Sequence, residues 1–475
     1  MHHIKLTHLA LASLLALTSG CYLYDETPGF QEEDEFMFPD GEPPCDPIEG
    51  LSRAVYVCIE EDYFFGALFV DTEGGSDEND GRWGNPTATL RHALTLASED
   101  SNIAAILIAG SPSLPAPVRL TQDLSLLGGY DASFTLDPAA RPKILAQSDS
   151  ELALVATGLD NPVVIRRFEI TGWEGASGAS AAVLFDQVEV VIEDSVIRAG
   201  RGAHGIDGTA GARGEDGEKG KSAGSPSTTS PGEPGVNESC PMAQGGQGGD
   251  GGNAVASATP GKAAALTTLG GSVGSAGKDG APGDPGQRGA DATQGIWSMS
   301  GWQPGTSARD GDAGQPGQGG GGGGGGASMG GQGGGGGGGG AGGCAGQGGR
   351  AGTSGYPSVG IVAIDSAIKL SNTQIISQDG GNAGLGGDGG KGGDGDRGGL
   401  GASGLGGGQN GGRGGDGASG GDGGQGGDGV AGESWSVWCK ASSLLREGES
   451  SLAFGQGGVL RDGSRAPSGE VFGCD

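Results

Sequence analysis

Five carboxylates, Glu169, Asp186, Glu193, Asp194 and Asp365, fall on or beside short apolar runs, the placement from which paired acids cleave glycosidic bonds. Carboxylates in such runs are mostly solvated residues of the outer face, so no catalytic residue is expected among them. Histidine chemistry is scarcer still. Beyond the first twenty residues only His92 and His204 occur, too few for a multi-histidine metal site and poor support for a Ser-His-Asp triad. His92 lies in a helical pattern and is expected to be a residue of a lid, and His204 opens a glycine-rich stretch as a loop residue. Asp77-Glu-Asn-Asp-Gly81 has the look of a calcium loop, but Gly81 occupies the place of the third ligand and no glutamate closes it. The Gly-Gly-Asp series further on lacks the aliphatic residue of the nine-residue calcium β-roll. No metal centre or cofactor is therefore expected, weak surface calcium being the one exception left open.

Cysteine chemistry is more telling. A head carrying Lys5 precedes an apolar run, Leu9 to Leu17, and then Thr18-Ser19-Gly20-Cys21. The run is too short to span a bilayer as a helix. Small residues directly before a cysteine resemble the lipobox of bacterial lipoproteins, although Thr18 stands where leucine is commonest. That resemblance implies a diacylglycerol on the Cys21 thiol, cleavage before it, and Cys21 as the first mature residue. The alternative is an ordinary secretory signal followed by a chance cysteine. Tyr22 replaces the aspartate that would favour the inner membrane, so the expected site is the outer membrane, on its periplasmic or its outward face.

The remaining cysteines, Cys45, Cys58, Cys240, Cys344, Cys439 and Cys474, form no CxxC pair and are read as disulfide candidates in an oxidising compartment. Pairing in chain order, 45–58, 240–344 and 439–474, is one of several connectivities. After removal of Lys5, twenty-six basic residues stand against fifty-eight acidic ones, a net charge of minus 32. A phosphate-binding surface needs the opposite sign, so nucleic acid is excluded as a partner. The expected partners are the membrane, through the lipid, and a polysaccharide or surface protein. Residues 21–50 hold ten acidic residues and no Lys or Arg, with five prolines, and read as an extended, disordered tether.

The elements behind these residues are short β-favouring runs, 67–70, 103–109, 123–127, 152–156, 163–171, 182–185 and 188–199, without intervening helices. One spacing recurs: Val163-x-Ile165 with Ile170, Val190-x-Ile192 with Ile197, and Ile368-x-Leu370 with Ile375. The first two copies are 27 residues apart, about one coil of a parallel β-helix, in which each coil buries its apolar side chains against the last. The third copy follows 178 residues later, after a glycine-rich block. A solenoid end needs a cap. Residues 87–98, with Leu90, Ala93, Leu94 and Ala97 on one face, predict a capping helix started by Asn85-Pro86 or Thr87.

Phe69-Val70-Asp71, Gly75 to Gly81, Asn85-Pro86, Thr89 to Leu94 and Leu124 to Asp131, followed by the coils, resemble pectate-lyase-like right-handed β-helix lipoproteins of Gram-negative bacteria with glycine-rich insertions. The resemblance covers roughly residues 65–200 and 359–379. It implies the fold and no settled activity. The Gly-His-Gly and Arg-Ile-Lys motifs of polygalacturonase-like enzymes are missing, with Ala203-His204-Gly205 and Ala367-Ile368-Lys369 in their stead.

Glycine accounts for 111 of 475 residues and recurs every third position, from 202 to 220, 271 to 289, 386 to 407 and 408 to 429. A flexible linker needs no such register; period three implies a three-residue helix. Short runs, scarce proline and a Gly-Gly-X pattern favour a bundle of polyglycine-II helices over a collagen trimer, with disorder as the remaining alternative. The expected organisation is then a signal peptide at 1–20, the tether at 21–50, a β-helix at 51–200 and a first glycine-rich insertion at 201–356. A coil at 357–379, a second insertion at 380–432 and a C-terminal coil and tail at 433–475 complete it. Both insertions leave from the same corner of successive coils. Such a chain is expected to be a non-enzymatic, all-β envelope protein presenting a rigid face for adhesion or envelope structure. The enzymatic alternative is a polysaccharide lyase or glycosidase.

Overall fold

The computed structural model describes residues 46–58, 63–147, 152–173, 178–224, 227–265 and 268–475. Cys21, Cys45 and nearly all of the acidic tether lie outside the described residues, and with them the expectation of a 45–58 disulfide.

The described chain is all-β, built of parallel ladders with a single α-helix. Its strands return to three stacked ladders. The first takes Ala67–Val70, Ala105–Ala109, Ser125–Tyr130, Val163–Arg166, Glu189–Glu193, Ala367–Ser371 and the second half of Ser434–Glu447. The second takes Val118–Leu120, Leu154–Thr157, Ser180–Asp186, Ser358–Ile364, the first half of Ser434–Glu447 and Ser468–Cys474. The third runs through Ser113–Pro115, Lys143–Leu145, Glu169–Thr171, Val196–Arg198, Gln374–Ile376 and Ser451–Ala453.

The recurring apolar spacing sets the register. Val163 pairs with Val190 and Val190 with Ile368; Ile165 with Ile192 and Ile192 with Leu370; Ile170 with Ile197 and Ile197 with Ile375. A slip of one residue would turn each of these side chains out of the core. Ile165, Ile192, Leu370, Ile170, Ile197 and Ile375 are all fully buried in one cluster.

Two expected long strands are instead broken by a single left-handed residue, Arg167 within 163–171 and Asp194 within 188–199. Asn372 repeats this corner at the next strands of the ladders, and Gln187, Asp365 and Ala441 form a second column of left-handed corners between the other two ladders. Each such residue costs roughly 1–2 kcal/mol, yet the turn keeps the corner inside the hydrogen-bond network. Gln187 donates its N–H to the Ile364 carbonyl, and Asp194 donates to Ser371, both at 3.0 Å. Where the ladder bond is lost just after a corner, a hydroxyl accepts in its place. The Ser195 hydroxyl takes the Phe168 N–H (3.1 Å), Thr373 takes that of Ser195 (3.4 Å) and Ser450 that of Thr373 (3.2 Å).

Helix α1 spans Leu90–Glu99, starting later than the expected Thr87. Thr87 is itself fully buried in a bridge to Val70, donating its N–H to the Phe69 carbonyl and accepting from that of Asp71, so it extends the first strand's edge and cannot enter the helix. Thr89 is the cap: its hydroxyl accepts the His92 N–H at 3.2 Å. The apolar face of α1, Leu90, Ala93 and Ala97, closes over Leu68, Val70 and Ile106 at one end of the main core. Thr89→Ala is expected to cost about 1 kcal/mol, read as a lower urea midpoint; an unchanged midpoint would remove the hydroxyl from the account of the cap.

The glycine-rich blocks form one continuous hydrogen-bonded array of extended segments. Segment 202–223 runs parallel to 379–400 through bonds repeating every third residue, from Gly202 N–H to Asp379 through Gly211 to Asp388 to Gly220 and Arg397. Segment 335–356 runs antiparallel to 381–402, and 411–432 antiparallel to the same 381–402. Successive residues turn to different neighbours. Gly338 donates to Lys221 (3.0 Å), Gly339 to Gly246 (2.8 Å) and Gly340 to Gly415 (3.0 Å). A Cβ on Gly339 would fall on the carbonyl oxygen of Gly320, which is why this contact admits glycine alone.

Two features of the first insertion break its glycine pattern. Cys240 and Cys344 are joined by a disulfide, and a second links Cys439 to Cys474. A hairpin, Ile296–Ser298 with Gly301–Gln303, was not anticipated by the period-three reading. Its signal was present in two tryptophans flanking Ser-Met-Ser-Gly. Trp297 is 4% exposed and packs on Val155, Ala181, Leu184 and Val359, the outer face of the second ladder.

Candidate functional site

The five carboxylates divide by what surrounds them. Glu193 accepts from Arg166 (2.6 Å), Asp194 faces Arg167 (3.5 Å) and Glu169 faces Lys143 (3.3 Å), so three of the five are held in ion pairs along the ladders. Asp186 and Asp365 are left, at neighbouring strands of the second ladder beside the column of left-handed corners. Burial raises the Asp186 pKa above the usual carboxylate range, and the Asp365 charge raises it further. A carboxyl whose pKa is raised beside a second carboxylate is the kind of pair from which general acid catalysis is built. Asp365 lines an open recess together with Glu189 and Asp475, whereas Asp186 is buried behind it.

The Asp77 segment does other work than the ion binding its sequence suggests. One Asp77 oxygen accepts the Ala88 and Thr89 N–H groups (3.0 and 2.9 Å) and the other the Thr89 hydroxyl (2.8 Å). Burial opposes ionisation there, but these three bonds and the nearby His92 outweigh it and lower the pKa. His92 lies half-exposed on α1. Among the described residues, no three His, Cys, Asp or Glu converge as a metal site.

The aspartates of the glycine-rich triplets are likewise occupied. Asp416, Asp422 and Asp428 accept the N–H groups of Gly398 (2.9 Å), Gly392 (2.9 Å) and Gly386 (2.7 Å), one segment across. Asp216 and Asp291 take those of Asp394 and Asp428, both at 2.7 Å. These carboxylates are edge acceptors of the array, binding N–H groups that would otherwise turn to water. The Arg461 guanidinium holds Asp428 well below the usual carboxylate range, Lys391 does the same for Asp422, Arg213 for Asp216 and Arg288 for Asp291. Because folding lowers these pKa values, the stability they contribute is complete above the unfolded value and is lost as pH falls through the folded one. Acidification below about pH 4 is therefore expected to loosen the array, seen as lower amide protection, relative to the unstructured rate at the same pH, in 380–432. Equal protection at about pH 3 and pH 7 would contradict it.

A recess of different character lies between the hairpin, the outer face of the second ladder and the edge of the glycine-rich array. Its volume is about 900 Å³. Trp302 lines it, edge-on to Trp297 with ring centroids 5.3 Å apart, together with Tyr356, His204, Ser307 and Thr353. Among the described residues, no Asp, Glu, Lys or Arg lines it. His204, expected to be a loop residue, accepts the Asn382 N–H on Nδ1 (2.9 Å), which leaves its Nε2 as the proton-bearing nitrogen.

Neither a family model nor a curated protein nor a solved structure matches the chain. The site must therefore be judged on its own residues. The sequence reading missed this recess because its walls come from residues more than a hundred positions apart, joined only by the array. The paired tryptophans were the one local sign. Among the described residues, no helix is long and apolar enough to cross a membrane.

Proposed function

We propose that the chain is a lipid-anchored, non-enzymatic protein of the cell envelope, held by Cys21 at the outer membrane on a short acidic tether. Its body is read as a right-handed parallel β-helix capped by α1, and its glycine-rich segments as a polyglycine-II bundle standing on one edge of that body. The role is adhesion or envelope structure. The observation carrying this reading is the three-way donation at Gly338, Gly339 and Gly340: it is the pattern of a threefold helix whose every residue bonds a different neighbour. An array satisfied in this way offers a fixed, shallow face, which is what a surface protein presents and a flexible linker does not. The resemblance to β-helix lipoproteins, carried by the residues at 69–71, 75–94 and 124–131, supports the same assignment.

Hydrogen exchange on the intact protein tests the bundle. Protection in 202–223, 335–356 and 380–432 comparable to that of the ladders is expected, and exchange at the unstructured rate throughout would end the case for a rigid face. Metabolic labelling with palmitate tests the anchor, with label lost in Cys21→Ala. A second reading, a polysaccharide-cleaving enzyme, is favoured by one observation, the buried Asp186 beside Asp365. Release of reducing ends or unsaturated products from a polysaccharide panel, abolished by Asp186→Asn, would replace the first reading with this one.

A further inference from the structure

We infer that the recess between the tryptophan hairpin and the glycine-rich array is a binding site for an uncharged oligosaccharide. The inference deepens the adhesive reading and rests on it for the biological role, though not for the chemistry. Three features of the recess define the ligand. Its volume of about 900 Å³ lies within the range of small-molecule sites, roughly 300–1,000 Å³, and accommodates several sugar rings. The chain has a net charge of −31, yet among the described residues the lining carries no carboxylate, ammonium or guanidinium. A charged ligand would enter without a partner for its charge, so phosphorylated and acidic sugars are disfavoured.

The polar groups present are neutral and of the kind that match sugar hydroxyls. Nε2–H of His204 is left as a donor by the bond on Nδ1. The Tyr356 and Ser307 hydroxyls and the Trp302 indole N–H have no hydrogen-bond partner among the described residues. Each hydroxyl both donates and accepts, as a sugar hydroxyl does. The aromatic part is also fixed in place. Trp297, buried against the second ladder, braces Trp302 edge-on at 5.3 Å, so Trp302 is held as a platform without losing its freedom on binding. Tyr356 enters from the array side, through an N–H donated to Ala203 at 2.9 Å. The site is complete only when ladder, hairpin and array are assembled, and none of these elements alone brings Trp302 and Tyr356 to one recess.

The test uses the full chain in detergent, titrated with neutral α- and β-linked gluco-oligosaccharides and chitin oligosaccharides, with oligogalacturonate as the charged comparison. Binding of a neutral oligosaccharide with a dissociation constant of about 1 mM or tighter is expected. Trp302→Ala should weaken it about tenfold or more. Tyr356→Phe, which removes one hydroxyl and leaves the packing, should weaken it severalfold while amide exchange in 335–356 stays unchanged. Absence of binding by every neutral oligosaccharide, preference for oligogalacturonate, or binding indifferent to both substitutions would each overturn the site. Attachment of intact cells is measured alongside. Attachment without oligosaccharide binding overturns the site and spares the adhesive reading; oligosaccharide binding without attachment supports the site and overturns that reading.

Discussion

Gly339→Ala should lose about 3 kcal/mol of stability, the upper end of what overpacking costs. Gly339 is buried within the array, donates to Gly246 (2.8 Å) and accepts from the Gly235 N–H (2.8 Å). An added methyl would meet the Gly320 carbonyl, whose carbon lies 2.6 Å from the new Cβ, and then the Gly321 carbonyl carbon at 3.0 Å. These are backbone atoms of another segment, bonded in their own register, so no side-chain rotation relieves the contact. The same substitution gains up to about 1 kcal/mol by restricting the unfolded chain, which is the smaller effect. A lower urea midpoint is expected, with amide protection lost first in 309–356 and retained in the ladders. Ser419→Ala, at an exposed triplet position, is the control and should stay within about 0.5 kcal/mol of the parent. Equal stability of the two variants would mean that the segments do not pack as described.

Removing the Cys240–Cys344 disulfide by paired serine substitutions should cost about 3–4 kcal/mol. The bond closes a loop of 104 residues, for which chain entropy alone predicts about 4.7 kcal/mol, against about 2–4 observed for typical disulfides. It ties the outlying segment near Pro241–Ala243 to the central one at Cys344, where Asn237 donates its amide to the Gly342 carbonyl at 3.2 Å. Loss should therefore be felt across both. The Cys439–Cys474 bond spans 35 residues and fastens the last strand of the second ladder. Its removal should fray Ser468–Cys474 while leaving the array's exchange unchanged. A paired Cys240/Cys344 variant with the parent's denaturation midpoint would show that the backbone bonds suffice without the crosslink.

The parallel ladders were legible because their apolar positions repeat and pair in register across 178 residues, Val190 to Ile368. A buried position constrains side-chain type strongly, so it leaves a pattern. The glycine period was legible for the same reason, since only glycine tolerates the approach at positions such as Gly339. Which segment neighbours which was not legible, because glycine carries no side chain that could name its partner. Left-handed corners at Arg167, Gln187 and Asp194 were hidden as well, held by ladder bonds against the preference of their residue types. The helix start moved from Thr87 to Thr89 because tertiary burial of Thr87 overrode a local signal. The role of the triplet aspartates was hidden too, because the N–H groups they accept lie one segment away. The recess was the least legible, because Trp302 and Tyr356 meet only through the assembled array.

The pairing of Glu189–Glu193 with Ala367–Ser371 carries a consequence for how the molecule comes to exist. During synthesis the strands ending near Gly200 are finished long before their ladder neighbours emerge, and their edges stay open until then. Such edges invite pairing with the wrong chain. The contacts that close them are far apart in sequence, as are those of the array, so assembly is expected to be slow. The intervening residues are rich in glycine and carry large apolar side chains only sparsely, apart from the tryptophan hairpin, which gives the waiting edge few wrong partners within its own chain. The order of segments would then serve the kinetics of folding as much as the finished surface.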